Sequence, residues 1–402
     1  MSADDLDTLR AEIAATDREL VHLLARRMEL SGRIGAIKAE RGLGVSVQAI
    51  EEQVLARARD AAAACGVSAA AMEAIFRAIV QASVERQHKT GIERLQRGGG
   101  RVLLVGAAGK LGRWFAALFE HAGHDVVGVD PVFAARIKSH GGASAVGDGA
   151  RELDATNRGT FGVDATRRAP RAAAFARLAD VPDLDAFDWI LVATPLGATA
   201  AVLDELVLRA PRRATIVEVS SIKAALEPAL ERARHAGVLV LCLHPMFGPG
   251  KSAWGPLTFA LAVRADEARE VELVRALLAH PYARVVAMPF AEHDRRMGWL
   301  LGLAHLSGML FASALARSGL DAAELEETAS TTYARQKATA LSILGEDPAL
   351  YLDIQRLNPH REAVYAAVED ALKELAQLVR AGEREAFARC LARARAAIGP
   401  AG

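Results

Sequence analysis

The sequence is poor in cysteine and has no excess of either charge. Its three cysteines, Cys65, Cys242 and Cys390, are scattered over 402 residues and give neither a disulfide framework nor metal-ligand spacing. We therefore expect reduced thiols and no metal site. Lysine plus arginine and aspartate plus glutamate both number 49, so the chain lacks the basic excess typical of proteins that bind nucleic acid or anionic membranes.

A long apolar run and a secretory leader are also missing. No stretch of about 20 residues is apolar and free of charge or proline, as a membrane span requires. The N-terminus, MSADDLDTLR, is acidic and lacks the basic-then-apolar pattern of a signal peptide. We therefore expect a cytoplasmic protein whose partners include neither nucleic acid nor a membrane. The length predicts two or three domains.

A glycine-rich turn between residues 101 and 130 predicts a dinucleotide site. The apolar run at 102–105 is typical of a parallel strand that is buried on both faces. Gly106, Gly109 and Gly112 follow at three-residue spacing. The first glycine allows a tight turn, the second allows close approach of a pyrophosphate, and the third allows the next helix to pack closely.

An acidic residue and a threonine complete this predicted site. A second strand, Asp125–Val129, ends at Asp130, whose carboxylate would accept hydrogen bonds from ribose hydroxyls and repel a 2′-phosphate. We therefore predict NAD rather than NADP as the cofactor. Thr194 ends a later strand, at 189–193, beside the expected cofactor. The alternative is an ordinary glycine-rich turn with a solvated aspartate.

The first 97 residues are predicted to be helical. Apolar residues recur at alternating three- and four-residue spacing from Leu6 to Ile37, which indicates one face of a helix over about residues 3–41. Such a helix is roughly 57 Å long, whereas a globule of about 95 residues has a radius of gyration of about 12 Å. The helix cannot cover its own apolar face, so we predict a homodimer in which two such helices pair.

Polar residues interrupt this apolar interior. A buried cation such as Arg27 is expensive unless an anion meets it, and two further helices, at about 47–65 and 68–93, add other polar groups. The residues concerned are Arg10, Arg27, Lys38, Glu51, Ser83 and Gln87. They predict a pocket for a small dianion. The alternative is a helical dimerisation arm with cations that reach to solvent.

This segment resembles the all-helical chorismate mutase domains. The matching residues are Leu9-Arg10, LLARRMEL at 23–30, IGAIK at 34–38 and SVERQ at 83–87. The resemblance implies rearrangement of chorismate to prephenate in a pocket that needs no nucleophile, only a preorganised conformer and donors aimed at developing negative charge.

The resemblance also implies individual roles. Arg27, with Arg10 from the partner chain, would hold the two carboxylates, and Ser83 would help to hold one of them. Lys38 and Gln87 would donate to the ether oxygen, and Glu51 would meet the ring hydroxyl. One residue departs from the family pattern, because Ile50 stands where an arginine is usual. The alternative is therefore an inactive domain kept for dimerisation or regulation.

Two further strand ends carry polar clusters. The predicted strands at 215–219 and 238–243 run into SSIK at 220–223 and HPMFGP at 244–249, and ligands bind at the carboxyl ends of parallel strands. His244 lies between a strand and a proline-restricted loop. It could be a general base or a hydrogen-bond acceptor, and a structural histidine is the alternative.

HPMFGP, the SSIK turn and the glycine turn together resemble prephenate dehydrogenases, including those fused to a chorismate mutase domain. The resemblance implies that His244 takes the proton of the ring 4-hydroxyl as hydride passes to NAD, and that Ser221 supports that hydroxyl or the cofactor. Loss of carbon dioxide then gives 4-hydroxyphenylpyruvate. A regulatory dimer that senses the nucleotide is the non-enzymatic alternative.

The implied fold is α/β with three domains. A helical chorismate-mutase-like domain at 1–97 precedes a Rossmann-type NAD-binding domain at 98–288 and a helical dimerisation domain at 289–402. No role is assigned to an irregular excursion at 133–187.

The C-terminal region resembles the same family more loosely. An apolar segment at 292–315 predicts a buried helix at a subunit interface. His293-Asp294 and His305 match the family pattern, which implies that His305 lies near the substrate; an interface histidine is the alternative. The nearest match to the family's carboxylate-binding arginine is Arg335, one position beyond the ungapped register. The choice between prephenate and its amino counterpart, arogenate, stays open.

Overall fold

The computed structural model describes residues 3–41, 48–95, 99–134 and 174–399. Most of the excursion predicted at 133–187 therefore lies outside the described residues. The chain divides into two compact units. One comprises Met1–Ser220 with Pro228–Pro289, and the other comprises Ser221–Glu227 with Phe290–Gly402.

Three helices open the first unit, as predicted from the apolar periodicity. They are α1 (Ala3–Glu40), α2 (Gln48–Ala64) and α3 (Ala69–Leu95). Helix α1 packs closely on α3 because Gly35 faces the Gln87 backbone; a Cβ at Gly35 would lie 2.6 Å from that carbonyl oxygen.

A mainly parallel sheet follows in the same unit. Its eight strands in the described residues are β1 (Arg101–Val105), β2 (Asp125–Val129), β3 (Ala174–Phe175), β4 (Trp189–Val192), β5 (Thr215–Glu218), β6 (Val240–Pro245), β7 (Thr258–Val263) and β8 (Arg284–Pro289). Their order is β3-β2-β1-β4-β5-β6-β7-β8, with β7 antiparallel to β6 and parallel to β8. The first six follow the order of dinucleotide-binding folds, whose ligands bind where the order reverses.

Helices and a short 3₁₀ turn cover this sheet. The helices are α4 (Lys110–Ala122), α5 (Leu196–Arg209), α6 (Glu227–His235) and α7 (Glu267–Leu278). The 3₁₀ turn of this unit in the described residues is Leu178–Asp180; Ala224–Leu226, also a 3₁₀ turn, belongs to the other unit. Phe115, Leu118 and Phe119 of α4 have no exposed surface, and burial of such a side chain contributes about 1.5–3 kcal/mol. The α4 face thereby fixes the glycine turn against the strands.

The second unit is helical in its described residues. Its helices are α8 (Phe290–Met297), a π-helix (Gly298–Leu303), α9 (Ala304–Ala316), α10 (Ala322–Glu327), α11 (Thr331–Leu344), α12 (Pro348–Leu357), α13 (Arg361–Ala381) and α14 (Arg384–Ile398). The three-part fold class predicted from the sequence is therefore confirmed.

The helix predicted at 292–315 is present, and its burial at a subunit interface stays a prediction, because the structure describes a single chain. The continuous helix Phe290–Ala316 has an apolar window that is only 11% buried, and by length and composition alone it could cross a membrane. The sequence-based statement that no stretch is long and apolar enough for a span is therefore wrong, because residues 297–316 contain neither a charged residue nor proline. Trp299 is 43% and Leu300 58% exposed. The sequence pattern shows that this face is apolar, but it does not show whether the same chain covers it.

Candidate active sites

The glycine turn has the shape that the sequence predicted. Gly106 adopts a φ of +86°, and a Cβ there would lie 2.5 Å from the Ala193 carbonyl oxygen. Gly112 lets α4 approach the turn, because its Cβ would lie 2.1 Å from the Gly106 carbonyl oxygen. Gly109 precedes α4 in an extended conformation, so the N-terminal amides of α4 open beside the turn, where a helix favours anions.

Asp130 holds the same turn from the neighbouring strand. Its side chain is 8% exposed, and it accepts hydrogen bonds from the Ala108 and Val132 amides, both at 3.0 Å. Each carboxylate oxygen has a second lone pair. The residue can therefore brace the turn and still accept a hydrogen bond from a ribose hydroxyl.

The strand register aligns three polar side chains at the carboxyl edge of the sheet. Val192 pairs with Glu218, and Glu218 pairs with Cys242. Each of these three paired residues is followed, two positions later in its own segment, by a polar residue. These residues are Thr194, Ser220 and His244. Neighbouring strands lie about 4.8 Å apart, so a line from Thr194 through Ser220 to His244 spans roughly 10 Å.

Hydroxyl groups connect the first two of these positions. Thr194 Oγ1 lies 3.1 Å from Thr199 Oγ1, and Ser220 Oγ donates to Thr199 Oγ1 over 3.3 Å. The fully buried Glu218 accepts the Ser220 amide at 2.9 Å. The sequence analysis named Thr194 but missed Thr199 and Glu218, because their side chains act within the structure and belong to no recognisable motif.

His244 lies inside strand β6 rather than after it. The sequence analysis ended this strand at residue 243, but the structure extends it to Pro245 and pairs His244 with Ala260 of β7. The antiparallel strand β7, which the sequence did not predict, therefore fixes the histidine backbone. The side chain is buried, with 4% exposed, at the edge where the parallel strands end.

In the N-terminal helices, the structure brings Arg27 and Ser83 together. The Arg27 guanidinium donates to Ser83 Oγ and, at 3.4 Å, to the Ile79 carbonyl oxygen. Burial lowers the pKa of Arg27, but an arginine at that pKa remains charged near neutral pH. The contact joins α1 to α3 and aims a cation at the interior.

Gln87 lies one turn beyond Ser83 on α3. Its Oε1 atom is buried and, among the residues that the structure describes, has no hydrogen-bond partner. Lys38 follows Gly35, the α1 residue in closest contact with Gln87, by three positions and is half-buried. An unsatisfied buried polar atom is costly, so the Gln87 amide is suited to meeting a polar ligand.

The remaining predicted residues of this pocket lie apart within one chain. Arg10 is exposed and pairs with Asp7 at 3.2 Å, so a single chain does not place it beside Arg27. Glu51 is half-buried at the start of α2. Ile50, at the position where the family carries arginine, is 50% exposed.

In the second unit, Asp294 joins the helix α8 to the turn that carries Ser221. Its carboxylate accepts the Lys223 amide at 2.9 Å and the Ala224 amide at 2.7 Å, and His293 Nδ1 lies 2.7 Å from it. These bonds explain why Ser221–Glu227 belongs to the C-terminal unit. The pKa of Asp294 is lowered: burial raises it, but the bonds from His293 and the two amides outweigh burial.

His305 is half-buried in the same unit, and burial lowers its pKa. Its Nδ1 is buried without a hydrogen-bond partner among the described residues, and its ring meets Tyr351 edge-on with centroids 4.8 Å apart. Arg335 is exposed on α11. The structure therefore gives Arg335 no burial that would favour a substrate role.

Three family models match the chain. Chorismate mutase type II matches residues 9–88, the nucleotide-binding domain of prephenate dehydrogenase matches 154–285, and the dimerization domain of prephenate dehydrogenase matches 289–393.

Relatives and solved structures agree with these matches. The T-protein of Enterobacter agglomerans is 25% identical over 386 residues, which are 95% of this chain and 90% of the relative. The 4-amino-4-deoxyprephenate dehydrogenase of Streptomyces pristinaespiralis is 28% identical over 303 residues, 75% of this chain and 93% of its own. Prephenate dehydrogenase from A. aeolicus, solved with hydroxyphenyl propionate and NAD+, shares the fold with a TM-score of 0.55 at 17% identity, covering 74% of this chain and 96% of its own.

Proposed function

The chain belongs to the bifunctional chorismate mutase/prephenate dehydrogenases, and we propose that its two sites act in sequence on one pathway to tyrosine. Chorismate is rearranged to prephenate by the N-terminal helices. Prephenate is then oxidatively decarboxylated to 4-hydroxyphenylpyruvate by the remainder of the chain. One observation carries the dehydrogenase assignment. The strand register brings three polar residues to the same edge of the sheet, beside the glycine turn: Thr194, Ser220 and His244.

In the dehydrogenase, this chain's residues bind the cofactor and handle one proton. The backbone of Gly106 to Gly109 and the start of α4 offer amides to the pyrophosphate, and Asp130 accepts from the adenosine ribose. Bound NAD supplies the acceptor for the hydride that leaves the ring carbon. His244 accepts the proton of the hydroxyl on that same carbon, which becomes a carbonyl, and Ser221 supports this oxygen. When carbon dioxide leaves, the electron pair of the broken bond passes through the ring to the oxygen, and His244 returns the proton to it. Departure of the carboxylate as carbon dioxide makes the ring aromatic, so a modest base is sufficient.

In the mutase, the groups bind and polarise but transfer no proton. Arg27 and Ser83 hold a carboxylate, and the Gln87 amide with Lys38 donates to the ether oxygen as its bond to carbon breaks. The place of Gln87, one turn beyond Ser83 on α3, supports this half, because its Nε2 would be the donor. Its Oε1, which has no partner among the described residues, can only accept a hydrogen bond. Fixed donors need no reorganisation during the reaction and therefore favour the transition state.

A homodimer completes the mutase pocket in this proposal. The apolar face of α1 is exposed in the single chain: Ile13 is 62%, Leu20 52% and Leu23 63% exposed. A second copy of α1 would cover this face and bring Arg10 of the partner chain toward Arg27. The exposed face of the helix Phe290–Ala316, within the match to the dimerization domain, provides a second interface. The dimer would act in the cytoplasm.

Two observations keep narrower alternatives in the proposal. Ile50 removes a cation from the mutase pocket, which would fit a domain retained only for dimerisation or regulation. Ala334 occupies the position of the family's carboxylate-binding arginine, and Arg335 is exposed, which leaves arogenate as a second candidate substrate for the dehydrogenase.

Initial rates of NAD reduction with prephenate and with arogenate, measured on the full chain, test the dehydrogenase half. We expect prephenate to be oxidised with NAD, and NADP to be a poor substitute because of Asp130. Oxidation of arogenate alone would establish the second candidate. No oxidation of either substrate would contradict the proposal.

A further inference from the structure

A π-helical turn interrupts the long helix that carries His293 and His305 of the C-terminal unit. The helix is α-helical over Phe290–Met297, π-helical over Gly298–Leu303, and α-helical again over Ala304–Ala316. π turns are rare and occur mostly as single insertions, frequently at functional sites. This turn separates His293 from His305.

The π turn changes the direction in which His305 points from the helix. The two histidines are twelve residues apart, and at about 100° per residue an uninterrupted α-helix would put them about 120° apart. A π turn contains one residue more than the α-helical register. The rotation from His293 to His305 is therefore that of about eleven α-helical residues, which is three full turns plus about 20°. His305 therefore lies on nearly the same side of the helix as His293.

Two buried side-chain amides hold this part of the helix from outside. Gln355 Nε2 donates to the Gly302 carbonyl oxygen at 3.0 Å, and Asn358 Nδ2 donates to the Asp294 carbonyl oxygen at 2.9 Å. The hydrogen-bond register of the helix changes where π pairing returns to α pairing, and a buried side-chain donor there can fix the backbone from outside. Gln355 supplies such a donor to Gly302, next to the last residue of the π turn.

Gln355 is itself fixed, and its helix also contacts His305. Tyr365 donates its hydroxyl proton to Gln355 Oε1 at 3.1 Å. Tyr351, one turn before Gln355 on Pro348–Leu357, packs edge-on against the His305 ring. One helix therefore secures the π turn with an amide and seats the histidine ring with an aromatic side chain.

We propose that Gln355 is a positioning residue of the dehydrogenase, which directs His305 toward the substrate by holding the π turn. The proposal rests on the proposed function, in which His305 lies near the substrate. The Nδ1 of His305, which has no partner in the described part of the chain, is then the atom available for a ligand. Neither Gln355 nor Tyr365 needs to touch the substrate.

The first test is Gln355→Met, which keeps the length of the side chain and removes the donor. We expect kcat/KM for prephenate to fall at least tenfold while mutase activity is unchanged. The His305 ring should also leave its buried seat, so its pKa should rise toward the usual value. Histidine NMR on the full chain, with the resonance assigned by its loss in His305→Asn, measures that pKa. Gln377→Met, the same change at an exposed site on α13, should alter neither quantity.

Deletion of one residue gives a second, independent test. Removing Leu300, which is 58% exposed, should convert the π turn to α-helix and leave His305 on the same side, so Gln355 is no longer needed. The deletion combined with Gln355→Met should therefore recover most of the activity lost in Gln355→Met alone.

Two results would overturn the proposal: an unchanged rate and an unchanged His305 pKa in Gln355→Met, or a double variant no better than the single one. If wild-type enzyme oxidised neither prephenate nor arogenate, the proposed function would fail, whereas the His305 pKa would still report on its link to Gln355.

Discussion

The sheet edge and the N-terminal helices prepare their sites in different ways. At the sheet edge, backbone amides of the same chain satisfy Asp130, and Gly106 and Gly112 fit their surroundings with no space for a Cβ. In the helices, Gln87 Oε1 is unsatisfied and Arg10 lies in solvent. These contacts of the sheet edge lie within one chain, whereas in the proposed homodimer the helical pocket would be completed by a ligand and a second chain. Damage to one site should therefore leave the other site active.

The largest difference between the effects on the two activities should come from His244→Asn. Asparagine retains hydrogen bonding but cannot take the hydroxyl proton, so dehydrogenase kcat/KM should fall about 10²-fold or more, as expected for a positioned base. Chorismate consumption should be unchanged, and His235→Asn, at an exposed histidine, should affect neither activity. Near-normal prephenate oxidation by His244→Asn would show that the histidine is structural.

A charge in the apolar face of α1, which is predicted to pair with a second copy, should lower the mutase activity and leave the dehydrogenase activity intact. Leu20→Asp with Leu23→Asp would place unpaired carboxylates in the predicted seam, where burial of a polar group without a partner costs about 1–3 kcal/mol. We expect chorismate consumption to fall at least about tenfold, with prephenate oxidation nearly intact. Arg18→Asp, two positions before Leu20 on the same helix, is the control. Equal effects of the control and the double variant would argue against pairing of α1 with a second copy.

At the sheet edge, alanine substitutions of Gly109 and Gly112 should weaken NAD binding to different extents. A Cβ at Gly112 would lie 2.1 Å from the Gly106 carbonyl oxygen, whereas one at Gly109 would lie 3.3 Å from it. Overpacking typically costs about 1–3 kcal/mol, so Gly112→Ala should weaken NAD binding about tenfold. Gly109→Ala should weaken it less, because its Cβ would meet only the Gly106 carbonyl oxygen in the free protein. Titration of NAD by calorimetry measures both, and equal losses would show that the close helix approach is unimportant.

The smallest effect should appear where the helices meet the sheet. His88 of α3 stacks on Tyr282 with centroids 4.2 Å apart, and its Nδ1 lies 2.8 Å from the Trp254 carbonyl oxygen. Burial, aided by the nearby His88, lowers the pKa of His280 to about 4. Because the folded pKa lies below the usual value of about 6.5, the unfolded chain binds the proton first, and stability falls as pH drops below about 6.5.

At pH 5.5 this histidine should cost about 1.4 kcal/mol of the free energy of unfolding, the equivalent of one pKa unit. His280→Gln should therefore lose less stability than wild type between pH 7.5 and pH 5.5 in thermal unfolding. The same pH dependence in both proteins would mean that His280 does not contribute to it.

The features that the sequence predicted well depend on local patterns. The three N-terminal helices follow from apolar periodicity, and the glycine turn with Asp130 follows from spacing along about 30 residues. Strands β7 and β8 were missed because their pairing is not local. The sequence also gave no reason to place Ser221–Glu227 with the C-terminal helices; that association depends on Asp294, about 70 residues away in the chain.

The π turn is the clearest case in which the sequence was insufficient. Counting residues along a regular helix separates His293 and His305, whereas the structure inserts a π turn between them and anchors it with the amide of Gln355, from another helix. The apolar helix that contains the turn was expected to be buried at a subunit interface. Periodicity identifies such an apolar face, but it does not identify the chain that covers it.

The most direct test of a chain with two coupled chemistries is to supply purified protein with NAD and chorismate alone and to follow the reduced cofactor. We predict a lag while prephenate forms, followed by steady NAD reduction, and an immediate rate when prephenate is supplied instead. Reduction with prephenate but not with chorismate would contradict the mutase assignment and leave the N-terminal helices as a dimerisation or regulatory domain.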